Sequence, residues 1–295
     1  MKVLVTGATG FLGNAIINEL QDHEIYTLAR KKAAITIDLK ERVPIVPNVD
    51  LVIHAAGKAH TLALNKFNIN EYYRVNVEGT INLLKGLQNS VIPKYFVFIS
   101  SVAVYGKEEG TQIDEKFPLD AKSPYGLSKI KAEELITAWC EANNVLCTIL
   151  RLPLVAGPNT PGNLGAMIEG IKKGYYFNID NGLAKKSIVL AEDVAKIVVK
   201  ASQIGGTYNL TDGNHPSFKE LSVVISSQLC KRPPLSIPYA IVKVLALIGD
   251  VLGGIIPINS NKLNKLTSSL TFNDNKAREL LKWRPSPVLK NFRIE

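Results

Sequence analysis

The heptapeptide SPYGLSK, residues 123–129, places a tyrosine and a lysine four positions apart in a predicted helix. Ser123 is a favourable N-cap residue and Pro124 suits the first helical turn, so the helix is expected to begin here. Tyr125 then lies near the positive end of the helix dipole, with Lys129 on the same face. Nearby cations favour the phenolate of a tyrosine, whose pKa is ordinarily about 10. The heptapeptide therefore predicts a proton-transfer group.

A second hydroxyl group is predicted beside Tyr125. The segment FISSVAVYG, residues 98–106, closes a predicted strand, and Ser101 lies where that strand meets the following loop. A hydroxyl there can hydrogen-bond both the tyrosine and a reacting oxygen atom. A tyrosine and a lysine four positions apart occur often by chance, so the prediction depends on the elements that bring Ser101 and Tyr125 together.

Strand and helix patterns alternate in the first half of the chain, and near-continuous apolar runs are typical of buried parallel strands. The runs cover residues 2–6, 24–29, 51–56, 94–100 and 146–151. Helical patterns follow Gly10 and cover about 70–89 and 124–143. This alternation predicts an α/β fold with a doubly wound parallel sheet of Rossmann type.

The regularity drops after Pro158, although residues 183–205 indicate one more strand and helix. Residues 206–295 mix short apolar runs with several prolines. We therefore expect two units. Residues 1–157 plus 182–205 form the Rossmann domain, and residues 158–181 plus 206–295 form a smaller C-terminal α/β substrate lobe.

A glycine-rich segment, TGATGFLG (residues 6–13), follows the first predicted strand and opens a helix. Gly7, Gly10 and Gly13 permit a tight turn, a close approach of backbone N–H groups to a pyrophosphate, and close helix–strand packing. The positive end of the helix dipole then faces the anion. The segment predicts a dinucleotide site, and a bound oxidised nicotinamide would add a further positive charge near Tyr125.

The end of the second predicted strand indicates which dinucleotide is bound. An acidic residue there would favour NAD, but Ala29 occupies the position, and Arg30, Lys31 and Lys32 follow. A guanidinium group suits a 2′-phosphate, so we predict NADP, with NAD as the alternative. Asp38, at the end of the next short run, is expected either to contact the adenine or to lie in a surface turn.

Composition narrows the remaining classes of function. The 295 residues carry a formal net charge of +9, which suits an anionic ligand, while the scattered lysines disfavour nucleic-acid binding. The three cysteines form no C-x-x-C pair and favour a reducing compartment. With an N-terminal apolar run too short for a signal peptide, they predict a cytoplasmic protein. The histidine spacing predicts no metal site.

One apolar segment, residues 239–258, approaches the length of a membrane-spanning helix, about 20 residues. Lys243 and Asp250 interrupt it on one face, and Gly253 and Gly254 weaken the helix. We predict a helix buried on most sides with a narrow wet stripe, in preference to contact with a membrane surface or a partner.

Taken in order, several segments resemble those of the extended short-chain dehydrogenase/reductases that act on nucleotide sugars, the NAD-dependent epimerase/dehydratase family. The resemblance spans nearly the whole chain and depends on the order and spacing of the segments. They are TGATGFLG, VIHAAG (52–57), VNVEGT (75–80), FISSVAVYG, YGLSK, LRLPLVAGP (150–158), SIVLAEDVA (187–195), TYNLTDG (207–213) and NKARELLKWRPS (275–286).

The resemblance implies roles for the matching residues. Tyr125 is expected to be the catalytic acid or base, Lys129 to bind the nicotinamide ribose, and Ser101 to align the reacting oxygen. Asn76 is expected to support the site beneath the cofactor. Asn163 resembles a sugar-diphosphate contact, and Lys186 falls where the family often has arginine. Besides Tyr125 and Lys129, the expected cofactor contacts are Gly7, Thr9, Gly10, Phe11, Leu12, Gly13, Arg30, Asp38, Leu39, Ala55, Ala56, Gly57, Ser100, Pro153, Leu154 and Val155.

Departures from the family's patterns distinguish the reactions. Val102 and Ala103 stand where the 4,6-dehydratases carry an Asp-Glu pair, which disfavours dehydration. The Ala29–Arg30 pair departs from the NAD-type epimerases, and the C-terminal half resembles bacterial reductases of UDP-linked 4-keto-6-deoxy-N-acetylhexosamines. We therefore expect an NADP-dependent reductase of a nucleotide-linked 4-keto sugar for polysaccharide precursors, with Tyr125 as proton donor.

Two alternatives remain open. One is a UDP-sugar C4 epimerase with retained NAD, similar to UDP-glucose 4-epimerases, and the other is a non-catalytic NADP-binding protein. The resemblance also implies a homodimer formed through the helices at 70–89 and 124–143.

Overall fold

Seven parallel strands form the central sheet of the computed structural model, which describes residues 1–59, 66–252 and 258–294. The pairings are parallel throughout. The chain starts in the middle of the sheet, adds strands to one edge, and then returns to the middle and adds strands to the other edge. The spatial order is β11 (Gly206–Asn209), β7 (Leu146–Leu152), β5 (Tyr95–Ser101), β4 (Leu51–His54), β1 (Lys2–Thr6), β2 (Glu24–Ala29) and β3 (Ile35–Thr36). This topology confirms the predicted Rossmann-type fold class.

Helices cover both faces of this sheet, because successive strand residues point to opposite sides. Val3 faces a core completed by α1 (Phe11–Glu19), α6 (Ala191–Ser202) and α10 (Asn275–Leu280). Leu4 faces the opposite core, which is completed by α3 (Gly79–Gln88) and α4 (Pro124–Ala142). Both strand residues are fully buried, as the apolar runs predicted.

Two predicted elements differ from those observed. The run 51–56 is strand only to His54, after which the chain turns beneath the glycine-rich loop. The helix at 70–89 consists of α2 (Lys66–Tyr73), a wide helical turn at Arg74–Glu78, and α3. Wide turns of this kind insert an extra residue into a helix and are frequent at functional sites.

A second hydrophobic core lies beyond the central sheet. It joins β8 (Leu154–Ala156) and β10 (Ile188–Leu190) with α5 (Gly162–Lys173), α7 (Phe218–Gln228) and α11 (Val288–Asn291). Two further parallel strand pairs are β6 (Gly110–Ile113) with β13 (Leu270–Phe272), and β9 (Asn178–Ile179) with β12 (Ser236–Ile237). The predicted domain division remains a proposal, and β11, which it assigns to the substrate lobe, belongs to the central sheet.

The apolar segment 239–258 forms helix α8 (Tyr239–Leu252), which packs with α9 (Ser260–Thr267), while residues 253–257 lie outside the described residues. The prediction that this helix is buried on most sides is wrong. Val242, Ala246 and Gly249 form a narrow buried stripe, and the rest of residues 239–250 is exposed. Among the described residues, no helix combines the length and apolar character needed to cross a membrane.

Candidate active site

Helix α4 begins where the sequence predicts, and this places Tyr125 in its first turn. The Ser123 hydroxyl accepts a hydrogen bond from the Gly126 N–H at 3.1 Å, and Pro124 is the first helical residue. Tyr125 is buried, and its ring lies 5.8 Å from that of Tyr72, centroid to centroid. The N-cap thus fixes the tyrosine against α2.

Ser101, the last residue of β5, meets Tyr125 as predicted. The two hydroxyl groups are hydrogen-bonded to each other. The Ser101 hydroxyl also accepts from the Ala103 N–H at 3.2 Å and so caps the short helical turn Val102–Tyr105. Its position is therefore set by backbone on one side and by the tyrosine on the other.

Burial determines the pKa of Tyr125 within the protein. Loss of solvent raises this pKa, the hydrogen bond from Ser101 lowers it, and nearby Tyr72 raises it further. The net pKa lies above its ordinary value, opposite to the direction expected from the helix dipole and Lys129. Desolvation is the largest of these effects and determines the direction of the change. The oxidised nicotinamide, the further positive charge expected near Tyr125, would come from a bound cofactor and not from the protein.

Lys129 is buried one turn further along α4, and its ammonium group has two partners. Its Nζ donates to the Ile99 carbonyl at 2.8 Å and lies 4.5 Å from the centroid of the Phe98 ring. Burial lowers the pKa of Lys129 to about 8, although the Glu133 carboxylate opposes this change. The lysine is thus fixed against β5 and titrates close to neutral pH.

Asn76 lies in the wide turn between α2 and α3 and connects two parts of the site. Its Oδ1 accepts from the Lys58 N–H at 2.7 Å, and its Nδ2 donates to the Ser128 hydroxyl at 2.9 Å. Ser128 in turn donates to the Tyr125 carbonyl at 2.7 Å. Asn76 therefore holds the loop after β4 against the helix that carries Tyr125. The part played by Ser128 was not predicted, although this residue lies inside the SPYGLSK segment.

His54 extends this network to the glycine-rich loop. The Thr80 hydroxyl donates to the Asn76 carbonyl, so it accepts from His54 Nε2, 2.9 Å away. His54 Nδ1 then accepts from the Thr6 hydroxyl at 2.7 Å. This arrangement requires a neutral imidazole, and burial, followed by the charge of Lys129, lowers the pKa of His54 to about 3.

The glycine-rich loop follows β1 and has the close approaches that glycine permits. Gly7 has a φ of 67°, and a Cβ at this position would lie 2.6 Å from the Ala56 nitrogen. A Cβ on Gly13 would lie 2.1 Å from the Gly7 carbonyl oxygen. Helix α1 begins at Phe11, and its N-cap, Gly10, has no capping side chain. The first N–H groups of α1 are therefore free to bind an anion.

Residues 3–210 match the family model described as NAD dependent epimerase/dehydratase family. The chain belongs to this family. Curated members that it resembles include a UDP-glucose 4-epimerase from Vibrio cholerae, with 26% identity over 98% of this chain and 92% of that protein. Another is the N-acetyl-alpha-D-glucosaminyl-diphospho-ditrans,octacis-undecaprenol 4-epimerase of Escherichia coli O157:H7, with 25% identity over 93% and 88% of the two chains.

Solved structures share the fold at lower identity. UDP-N-acetylglucosamine 4-epimerase from Bacillus cereus superposes with a TM-score of 0.74, at 21% identity over 97% of this chain and 94% of that one. MoeE5 in complex with UDP-glucose and NAD gives a TM-score of 0.77, at 20% identity over 98% and 95%.

The dinucleotide of the NAD-dependent epimerase/dehydratase family fits the residues present. The uncapped start of α1 and the side-chain-free Gly7, Gly10 and Gly13 would accept its pyrophosphate. At the other end, a Cβ on Gly57 would lie 3.2 Å from Asn76 Oδ1 and 3.3 Å from Lys129 Nζ. Glycine at position 57 therefore leaves room beside these two side chains that a larger residue would fill.

The other cofactor contacts expected in this family lie in or near the glycine-rich loop. Thr9 is exposed in the loop, Leu12 packs on the core, and the Phe11 ring approaches Gly157 after β8. The Ala56 N–H donates to the Thr6 hydroxyl at 3.1 Å, which fixes the turn after β4 that also contains Ala55. These positions surround the loop, and their cofactor contacts stay predictions.

The adenine end of the predicted site is basic. Arg30 is exposed directly after β2, and Ala29 leaves no carboxylate at that strand end. Asp38 supports a turn, since its carboxylate accepts from the Lys40 N–H at 3.2 Å. Leu39 is buried in the core beneath α3, and its carbonyl accepts from Asn82. Of the two residues predicted here, Asp38 keeps a partly exposed side chain and Leu39 does not.

Ser100 has a structural partner. Its hydroxyl donates to Glu133, whose carboxylate also binds Arg151 at 2.7 Å in a buried ion pair. Arg151 further contacts Tyr105 at 3.1 Å. The Ser100 side chain is thus occupied by this buried cluster, and its cofactor contact stays a prediction. Glu133 is thus a buried residue of α4, four positions beyond Lys129.

Two predicted substrate residues, Asn163 and Lys186, lie outside the central sheet, as do the predicted cofactor contacts Pro153, Leu154 and Val155. Pro153 precedes β8, which contains Leu154 and Val155 and pairs with β10. Asn163 is exposed in the first turn of α5. Lys186 is partly buried, and burial lowers its pKa to about 8, while Glu108 raises it. A partly desolvated ammonium group is suited to an anion, and these substrate contacts stay predictions.

Proposed function

We propose that this chain inverts the configuration at C4 of a nucleotide-linked sugar, most simply a UDP-hexose or UDP-N-acetylhexosamine. The observation that carries the proposal is the Ser101–Tyr125 hydrogen bond, one helical turn from buried Lys129. The relatives named above, which match more than nine-tenths of the chain, support epimerisation over the reduction expected from the sequence.

Each residue has a defined part in the proposal. A bound nicotinamide dinucleotide supplies hydride transfer. Tyr125, as the phenolate, takes the proton from the C4 hydroxyl of the sugar and, as the phenol, later returns it to the C4 oxygen, while Ser101 holds that oxygen by a hydrogen bond. Lys129 contributes a nearby positive charge that favours the phenolate during the reaction. Lys186 holds the sugar diphosphate.

The raised pKa of Tyr125 has a consequence for this cycle. A proton acceptor with a high pKa binds its proton firmly, so the protein without its cofactor holds Tyr125 in the neutral form. We therefore expect the phenolate to form only once a cationic nicotinamide is beside it. Spectroscopic titration of tyrosine in the NAD-bound and cofactor-free protein measures this difference.

The test of function uses the purified protein with UDP-glucose and, separately, UDP-N-acetylglucosamine, without an added reductant. We expect the C4 epimer to form, and we expect Tyr125→Phe to lower the rate about 100-fold or more while leaving the fold intact. The exposed neighbour Tyr73, replaced in the same way, is the matched control. Full turnover by Tyr125→Phe would remove the assigned chemistry, whereas no turnover by the parent protein with any of these sugars would favour the non-catalytic alternative.

A second candidate is NADPH-dependent reduction of a UDP-linked 4-keto sugar. The specific observation in its favour is the exposed Arg30 after β2, without a carboxylate at the strand end. A reductase consumes NADPH in proportion to product, whereas an epimerase converts substrate without net consumption. NADPH oxidation that depends on a 4-keto sugar, together with no epimer from UDP-hexoses, would replace the first proposal by this one.

A further inference from the structure

Helix α8 exposes an apolar face that the proposed chemistry does not use. Its large apolar side chains are between 42% and 58% exposed at Ile241, Val244, Leu245, Leu247 and Ile248. At 100° per residue, these five positions span an arc about 160° wide. The arc lies opposite the buried stripe of Val242, Ala246 and Gly249. The helix therefore rests on the protein by one side and presents apolar groups to the outside.

Polar groups of α8 lie at the flank of this arc rather than within it. Lys243 and Asp250 project about 100° and 80° from the buried stripe. Asp250 faces α9, because its carboxylate accepts hydrogen bonds from the Ser260 N–H and hydroxyl. The outward face is thus apolar across its width, a pattern that marks an interaction surface.

The net charge of the chain is concentrated in the C-terminal part of the sequence, which contains this helix. Residues 231–295 contain eleven basic and four acidic residues and so carry +7 of the net charge of +9. Within residues 231–265, five basic residues accompany one acidic residue, Asp250. Lys231, Arg232 and Lys243 are exposed. An exposed apolar helix face with surrounding basic residues is the pattern of a helix that lies in the interface of an anionic bilayer.

The size of the face argues for a bilayer over a second copy of the chain. A helix of this length is about 21 Å long and about 10 Å across, so the outward half of its surface offers roughly 400 Å² of accessible area. A stable protein–protein interface needs about 800 Å² from each partner. A bilayer needs no shaped partner surface, and binding grows with the apolar area inserted and with the basic charge around it.

From these observations we propose that the outward face of α8 docks the protein onto the surface of a membrane containing anionic phospholipid. Ile241, Val244, Leu245, Leu247 and Ile248 enter the boundary between headgroups and acyl chains. Lys231, Arg232 and Lys243 contact the lipid phosphates. Docking in this way would hold the second lobe at the membrane while the central sheet remains in solvent.

The experiment measures co-sedimentation of the full chain with vesicles of phosphatidylcholine alone and of phosphatidylcholine mixed with phosphatidylglycerol. We expect binding to the mixed vesicles, weakened by salt, and little binding to the neutral ones. The variant Ile241→Ser/Val244→Ser/Ile248→Ser should reduce binding about tenfold. The matched control Ile45→Ser/Val91→Ser/Val223→Ser, which changes exposed apolar residues elsewhere, should bind as the parent does.

A single-site measurement keeps the test decisive if the triple variant folds poorly. A polarity-sensitive fluorophore on Val244→Cys, in a Cys230→Ser background, should shift to shorter wavelength with mixed vesicles, and the same label on Val91→Cys should not. Equal binding to both vesicle types, or no binding, would overturn the proposal. So would a change of oligomeric state in the triple variant during sedimentation, because it would show that a second copy covers the face.

Discussion

The guanidinium of Arg151 lies 2.7 Å from the carboxylate of Glu133 in the interior, one turn of α4 beyond Lys129. Both side chains are less than one-tenth exposed. The pair joins the helix that carries Tyr125 to β7, and the Ser100 hydroxyl bonds to the same carboxylate. The position of the active helix on the sheet therefore depends on a buried polar cluster as well as on apolar packing.

Removing one partner of this pair should destabilise the protein. Glu133→Ala leaves the Arg151 charge buried without its counter-ion, and the expected loss is about 3–5 kcal/mol in the free energy of unfolding. Urea denaturation measures the loss. Glu134→Ala, which removes an exposed ion pair with Lys131, is the control and should change stability by less than about 1 kcal/mol. Equal effects at the two positions would contradict a buried role for Glu133.

Acidification should destabilise the protein through His54. Its pKa is lowered to about 3 in the folded state, so between about pH 6.5 and pH 3 the unfolded chain binds one more proton. Its contribution is fully present above pH 6.5 and is lost as the pH falls. Between pH 7 and pH 5, the free energy of unfolding of the parent protein should fall by about 2 kcal/mol more than that of His54→Gln. His23→Asn, which leaves the Thr6–His54–Thr80 network unchanged, should retain the full loss, measured by urea unfolding at each pH.

A side chain at Gly13 should disrupt the glycine-rich loop. In Gly13→Ala the new Cβ would lie 2.1 Å from the Gly7 carbonyl oxygen, so α1 must move away from β1. We expect the dissociation constant for NAD or NADP to rise about tenfold or more, and stability to fall by about 1–3 kcal/mol. Fluorescence titration with each dinucleotide measures the affinity. Replacing the exposed neighbour, Asn14→Ala, should leave it unchanged.

Cofactor preference should depend on Arg30. The variant Arg30→Ala removes an exposed guanidinium at the end of β2, where no carboxylate is present. Its affinity for NADP should fall about 10- to 100-fold, the value of a charge-assisted hydrogen bond, while its affinity for NAD should stay within about twofold. Lys85→Ala, at the end of α3, is the control. A parent protein that prefers NAD, with a preference unaltered in Arg30→Ala, would contradict the predicted NADP site.

The sequence allowed the central sheet and the Ser101–Tyr125 contact to be predicted because both depend on local signals. Buried parallel strands are continuous apolar runs, and the N-cap at Ser123 fixes the start of α4. The Glu133–Arg151 pair and the His54 network could not be predicted in this way, because their partners are 18 or more residues apart and meet only in the folded chain.

Two expectations failed for physical reasons that a sequence pattern does not contain. The direction in which the pKa of Tyr125 changes depends on how far the side chain is buried, and only the structure gives the extent of burial. The exposure of α8 likewise depends on which elements pack against it, and that packing is set only when the C-terminal elements fold together.

The hydrogen-bond series from Thr6 through His54, Thr80, Asn76 and Ser128 to the Tyr125 carbonyl has a mechanical consequence. It links the glycine-rich loop to the first turn of α4 by a continuous series of buried hydrogen bonds. Amide protons along both ends should therefore exchange with solvent in one concerted opening, rather than fraying independently. This rigidity would allow a ligand bound at the glycine-rich loop to restrict the motion of Tyr125 without a hinge or a moving loop.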